Sequence, residues 1–350
     1  MDLNKLREIL KDARAFRLKQ IKKAVFQDLI ENWDQISTLP KNLREQLDKD
    51  CPISELKEEK TLTSKDDQAT KILFKLNDGS KVESVLMRHL EERITVCVSS
   101  QAGCSIGCKF CATGLQGLKR NLSSGEIVDQ ILFFARLLKK TNEKVSSVVF
   151  MGMGEPFLNY DNVLEAIKTL NDKDGFNLGA RHISISTAGI IEGIEKLNNE
   201  KLQVNLAVSL HAPDDELRTE LMPINKVYPI KKLLAAVDDY IKKTGRKVMF
   251  EYLMIDGVND SPEQAEALGK LLVHSLLFGN QKNFSQPDQR YYFVNLISFN
   301  STGHSEFKPS PGWKIKNFKQ VLDNMGVDVT QRYRFGREIK AACGQLAGEN

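Results

Sequence analysis

Ile94-Thr-Val-Cys-Val-Ser-Ser-Gln-Ala-Gly-Cys104-Ser-Ile-Gly-Cys108-Lys-Phe-Cys111 sets an apolar, β-branched run directly before three cysteines. The run reads as a strand, Ile94–Ser100, and the cysteines as the loop after it. Their C-x3-C-x2-C spacing puts three thiolates on one short loop, close enough to hold three irons of one cubane. A 4Fe–4S cluster ordinarily takes four cysteines, and no fourth lies nearby. The remaining iron is then open to chelate a small molecule. Phe110, just before the last cysteine, is placed to pack on an adenine. A structural zinc loop and unrelated buried thiols are the competing readings. Zinc knuckles pair C-x2-C or C-x4-C with a second ligand pair further on, and none is found here.

Beyond this stretch, β-rich runs alternate with helical ones. The strand candidates are Ile94–Ser100, Val145–Met151, His182–Thr187, Val204–His211, Lys247–Ile255 and Tyr291–Phe299. Between them lie helical segments at Ser124–Lys140, Asp161–Leu170, Gly193–Asn199, Ile230–Thr244 and Ser261–Leu277. Six successive βα units predict parallel strands with right-handed crossovers, an α/β fold of partial (β/α)6 barrel type. Such a sheet carries its chemistry in the loops at the C-terminal strand ends. A last helix, Trp313–Met325, and strand, Val327–Arg334, lead into the tail. The polar segment Gly279–Gln289 reads as a flexible loop.

The first ninety residues have another texture. Leu6, Ile9 and Leu10, then Ile21, Val25, Leu29 and Ile30, recur at helical spacing. Glu58–Asp67 reads as a linker. Thr70–Leu76 and Lys81–Leu86 flank Asn77-Asp-Gly-Ser80, a hairpin signal. The predicted units are an accessory domain of helices and hairpin at 1–90, a core at 91–326 and a catalytic tail at 327–350. Net charge is only +4, but residues 1–26 carry eight Lys or Arg against three acidic residues. Such a basic patch suits a phosphate backbone; a solvated helix face is the plainer alternative. With 41% hydrophobic and 27% charged residues the composition is that of a globular protein. No apolar run reaches the roughly 18 residues of a membrane span, and Met-Asp-Leu-Asn-Lys lacks a secretory core. A cytoplasmic protein is expected, in which six cysteines point to metal or redox chemistry instead of disulfide staples.

Several polar groups close the predicted strands. Met151-Gly-Met-Gly154-Glu155-Pro ends the second, with glycines that let a ligand approach the backbone and a carboxylate suited to an ammonium group. Ser186 ends the third, Ser209-Leu210-His211 the fourth and Asn300 the sixth. Singly each is an ordinary strand-end group; together on one rim they suggest a cosubstrate site. Cys343 sits in a Gly-rich tail, Ala341-Ala-Cys-Gly-Gln-Leu-Ala-Gly, as expected of a mobile thiol brought to the site. Cys97 reads as a buried strand cysteine and Cys51 as structural.

With these pieces the chain resembles the radical S-adenosylmethionine adenine methyltransferases of ribosomal RNA. The likeness runs through Arg17-Leu-Lys-Gln-Ile, Cys97-Val-Ser-Ser-Gln-Ala-Gly-Cys104, the cysteine loop, Met151–Pro156, Ser186-Thr-Ala-Gly, Ser209-Leu-His-Ala-Pro-Asp, Leu221-Met-Pro-Ile-Asn-Lys226 and the Cys343 tail. Within the family it is most similar to the enzymes that methylate C2 of an adenine in the peptidyl-transferase centre of 23S rRNA, and an anticodon-loop adenine of tRNA. The C8-methylating resistance enzymes share most of these motifs. The tail departs from the family's Gly-x-Asp-Ile-Asp, reading Gly336-Arg-Glu-Ile-Lys340, and Ser301-Thr-Gly-His-Ser-Glu replaces a common Pro-x-Pro-Gly version.

The resemblance implies that Cys104, Cys108 and Cys111 hold the cluster. It implies that Gly154, Glu155, Ser186, Ser209, Leu210, His211 and Asn300 line the S-adenosylmethionine site, with two S-adenosylmethionine molecules used per turnover. Cys343 would carry the methyl group, Glu83 accept the C2 proton, and Cys97 attack the Cys343 sulfur to release product as a disulfide forms. Implied partners are 23S rRNA, tRNA and a flavodoxin-type reductant, with no membrane and a monomeric chain. An electron-transfer protein leaves Cys343 and the open iron unexplained. A radical enzyme acting on a small molecule or peptide would make the basic N-terminus a mere solvated face.

Overall fold

The computed structural model describes residues 1, 3–11, 15–274, 291–302, 306–333 and 335–348. Its framework is a ten-stranded sheet. An antiparallel meander comes first: β1 (Lys57–Thr63), β2 (Ala69–Lys75), β3 (Lys81–Arg88) and β4 (Ile94–Cys97). A two-stranded ribbon, β5 (Gln101–Gly103) and β6 (Leu118–Asn121), brackets the cysteine loop. From β4 onward the sheet is parallel and in chain order, through β7 (Ser147–Phe150), β8 (Ile183–Thr187), β9 (Asn205–Ser209), β10 (Val248–Met254), β11 (Tyr292–Ser298) and β12 (Val329–Gln331). The α/β reading therefore holds, with β12 as a seventh parallel strand. Strands β10 and β11 are buried along almost their whole length, which is why they read as continuous apolar runs.

The helices begin with α1 (Leu3–Ile9), α2 (Ala15–Lys22) and α3 (Lys41–Asp50), then the short α4 (Ala112–Leu115) after the last cysteine. The crossovers are α5 (Ser124–Lys139), α6 (Tyr160–Asn171), α7 (Ile191–Leu197), α8 (Asp215–Leu221), α9 (Ile230–Thr244), α10 (Pro262–His274) and α11 (Gly312–Asn324). Local chemistry fixes several ends. Ser123 and Glu126 form a reciprocal capping box at the start of α5. Gly245, at φ +63°, stops α9 in the left-handed conformation. No helix among the described residues is long and apolar enough to cross a membrane.

The expected linker at Glu58–Asp67 is corrected: β1 occupies most of it. The strand escapes a period-two reading because it is an exposed edge, with Lys57, Glu58, Glu59 and Lys60 all turned to solvent. Charges and the register shift at Glu58/Lys60 protect such an edge from pairing with another chain. Gly279–Gln289 and the end of the expected helix Ser261–Leu277 lie outside the described residues.

Residues 1–90 are joined to the parallel strands within one continuous sheet, through the pairing of β3 with β4. The amino group of Met1 is buried and donates to Asp129 Oδ2 at 2.5 Å. Part of the basic patch is met by acidic groups on and just after α6: Arg7 pairs with Glu165, Lys22 with Asp172 and Lys19 with Asp174.

Candidate active site

The C-terminal ends of the parallel strands surround a cavity walled on one side by Cys104, Cys108 and Cys111. Phe110, Gly154, Glu155, Ser186, Ser209 and His211 complete much of its wall, so most of the strand-end groups singled out in the sequence meet here. Leu210 and Asn300 do not line it. The Leu210 side chain is fully buried behind the rim, and Asn300 lines a second cavity, which reaches from the N-terminal ends of the strands up to Cys343.

Among the described residues no three His, Cys, Asp or Glu side chains are grouped to hold a single metal ion. The cysteine loop instead spreads its sulfurs along one wall of the cavity. Burial pushes the Cys104 thiol up to about 12 and the Cys108 thiol well above its ordinary value. Buried thiols of this kind become thiolates when metal supplies the compensating charge. The donor set therefore fits a three-cysteine cluster. Glu155 fits the amino group of a cosubstrate. Burial lifts its pKa to about 7, and the main-chain N–H groups of Ala188 (2.6 Å) and Phe157 (3.0 Å) only partly offset this. No cationic side chain among the described residues pairs with it, so an ammonium group would complete it.

The two glycines before Glu155 answer to the protein itself. A Cβ on Gly154 (φ +98°) would lie 2.5 Å from the Gln101 side chain, and one on Gly152 2.6 Å from the Val98 carbonyl oxygen. The turn can thus press against β4 and β5, and Gln101 Oε1 accepts from Glu155 N–H at 2.8 Å.

His211 sits at φ +60° with its ring edge-on to Phe110, centroids 5.0 Å apart. Its Nδ1 accepts from Leu253 N–H at 3.0 Å, which leaves the proton on Nε2. Burial and then Arg218 push its pKa down to about 3, so the ring is neutral. Arg218 is itself fully buried and gathers the rim. It donates to the carbonyls of Leu210, Tyr228, Ala188 and Ser209 and to Asn225 Oδ1. The Leu221–Lys226 motif thereby acquires a structural reason, since Asn225 anchors Arg218 and ties back to Asp215 and Thr219.

The tail docks on the cysteine loop. Ala112 N–H donates to the Gly344 carbonyl at 2.8 Å and the Thr113 hydroxyl to that of Leu346 at 2.5 Å. Cys343, half-buried, borders both cavities, as do Met151, Ile297 and Arg332. Arg332 Nη1 donates to Cys343 Sγ at 3.3 Å, while Nη2 lies 3.2 Å from Glu251 Oε1. Glu251 Oε2 in turn accepts from Ser186 Oγ at 2.8 Å. Burial disfavours the charge on Arg332, but Cys343 and Glu251 outweigh it and hold its pKa above the ordinary value. Cys97 borders only the second cavity. Burial first, and then Cys343, push its pKa up to about 12. All six cysteines are free thiols.

Glu83 lies outside both cavities. It is buried beside Lys71 at 2.7 Å and accepts from the Ala347 and Gly348 amides at 2.7 and 3.2 Å. Lys71 also donates to the Lys340 carbonyl. The atypical Glu338 accepts from Lys65 N–H at 3.1 Å and so ties the tail to the β1–β2 turn. Arg332, Glu251 and Arg218 escape the sequence reading. For Glu251 there was a signal, a carboxylate in the middle of an otherwise apolar strand.

The arrangement is that of a radical S-adenosylmethionine enzyme, and the radical SAM superfamily model matches residues 98–268. A radical SAM methyltransferase from Sphaerobacter thermophilus superposes with a TM-score of 0.92 at 41% identity, over 100% of this chain and 98% of that one. The probable dual-specificity RNA methyltransferase RlmN of Chloroflexus aurantiacus is 46% identical over 100% of this chain and 92% of its own. That of Geobacillus kaustophilus is 44% identical over 99% and 91%. The chain belongs to this RlmN family of S-adenosylmethionine-dependent RNA methyltransferases.

Proposed function

We propose that the chain methylates C2 of an adenine in the peptidyl-transferase centre of 23S rRNA, and an anticodon-loop adenine of tRNA, by way of a methyl group carried on Cys343. The supporting observation is the position of Cys343, docked over the cysteine loop and open to a second cavity that also holds Cys97. C2 of adenine is a poor nucleophile, so a simple methyl displacement is not feasible there. A bound 4Fe–4S cluster on Cys104, Cys108 and Cys111 would supply the electron for reductive cleavage of S-adenosylmethionine, two molecules of which are used per turnover.

The chain's own residues do the rest. Glu155 receives the cosubstrate's ammonium group, with Gly154, Ser186, Ser209 and His211 beside it, Leu210 behind the rim and Asn300 from the adjoining cavity. Arg332 donates to the Cys343 sulfur, the nucleophile that takes the methyl group. Glu83 is the proton acceptor for C2; it reaches the base once the Ala347–Gly348 turn releases it. Cys97 attacks the Cys343 sulfur, forming the Cys97–Cys343 disulfide as the methylated RNA leaves, and two electrons from outside restore the thiols. The protein acts as a monomer with a flavodoxin-type reductant, and residues 1–90 help to grip the RNA. The test is mass spectrometry of 23S rRNA and tRNA digests from cells with and without the gene. 2-Methyladenosine should appear only with the gene; an 8-methyl product, or identical digests, would contradict the proposal.

A further inference from the structure

We infer that the target nucleotide enters from the side opposite S-adenosylmethionine, through the basic cavity at the N-terminal ends of the parallel strands, its base stacked on Tyr333 and its phosphates held by Arg93 and Arg181. The inference rests on the reading of the chain as an RNA-base methyltransferase and names the path its substrate takes.

The cavity measures about 620 Å³, within the roughly 300–1,000 Å³ of ordinary ligand sites. Thr95, Ser147, Ser184 and Asn205, at or near the starts of their strands, place it at the N-terminal mouth. Its inner end is formed by Cys97 and Cys343, the sulfurs an incoming base must reach. The wall carries Arg93, Arg181, His89 and His182, together with Arg332, whose charge Glu251 already meets, and no carboxylate occurs among its described lining residues. Arg93, Arg181 and His182 are exposed. In a chain with 46 acidic residues against 50 basic ones, such one-sided lining attracts an anion.

The mouth is also aromatic. Tyr333 is 60% exposed, with its ring 4.9 Å from that of Phe335. Phe335 stands 4.7 Å from His89, and Arg93 Nη2 lies 3.0 Å from His89 Nδ1. An exposed tyrosine backed by a second ring and flanked by arginines is a platform for a base extruded from its stack. Deeper in, Ser298 Oγ is buried without a hydrogen-bond partner and borders the same cavity. An adenine edge would satisfy it.

The test uses the full chain and a labelled RNA hairpin with an unpaired loop adenine, titrated by anisotropy at several salt concentrations. Arg93→Ala/Arg181→Ala should weaken binding at least tenfold and lower the salt slope by about one to two. Tyr333→Ala should weaken it about tenfold with the slope unchanged, and Tyr333→Phe should restore it. Lys316→Ala/Lys319→Ala on α11 removes the same charge elsewhere and should bind as wild type; thermal melting confirms that every variant is folded. Wild-type binding together with unaltered binding by the arginine and Tyr333 variants would overturn the entry route and leave the methylation reading standing. Unaltered RNA binding with slowed reduction of the Cys97–Cys343 disulfide by glutathione would overturn it in favour of a small anionic thiol. A wild-type chain that binds no RNA would overturn both.

Discussion

Arg332 donates to the Cys343 sulfur across 3.3 Å, and its other terminal nitrogen lies against Glu251. The tail cysteine is thus held by a cation that is itself oriented by a carboxylate on β10. Hydrogen bonds to charged groups contribute about 1.5–3 kcal/mol. Arg332→Gln should therefore slow methylation of Cys343 by about one to two orders of magnitude, read by mass spectrometry of the tail peptide. Cys343 methylated at the wild-type rate in this variant would remove Arg332 from the chemistry.

Glu155 and His211 oppose each other in the pH dependence of stability. Glu155 has its pKa raised to about 7, so the stability it contributes is greatest when protonated and is lost as pH rises from about 4.5 to 7. His211 has its pKa lowered to about 3, so its contribution is present above about 6.5 and lost as pH falls. Each amounts to a few kcal/mol at most, at about 1.4 per unit. For the metal-free protein between pH 5 and 7, Glu155→Gln should make the melting temperature fall more steeply on acidification than in wild type. His211→Asn, which tolerates the positive φ, should make it rise. Parallel melting curves for all three proteins would contradict both assignments.

Arg218 should be the most costly substitution at the rim. Replacing it by Met leaves buried carbonyls of Leu210, Ser209 and Ala188 without their donor. Each buried acceptor left without its donor costs about 1–3 kcal/mol. Urea unfolding of Arg218→Met checks this, and a loss below about 1 kcal/mol would show the network to be dispensable.

The sequence made the parallel strands and the cysteine loop legible because both depend on neighbours in the chain: apolar runs, turn signals and one motif within eight residues. Strand-end groups such as Glu155 and Ser186 could be placed on a rim for the same reason. Arg332 could not, since the carboxylate that orients it, Glu251, sits on a strand distant in sequence. Strand β1 was hidden by its charged, solvent-facing edge. Asn300 ends its strand as expected, yet it turns toward the second cavity, an orientation that depends on the docked tail through the Cys343 carbonyl at 3.5 Å.

In the proposed reaction Cys343 carries carbon to the RNA and Cys97 releases it. A denaturing gel of Cys97→Ala after reaction with labelled substrate RNA reads both roles at once. RNA should be covalently attached to this variant, and none to Cys97→Ala/Cys343→Ala. Normal turnover by Cys97→Ala, with free methylated RNA and no adduct, would contradict it.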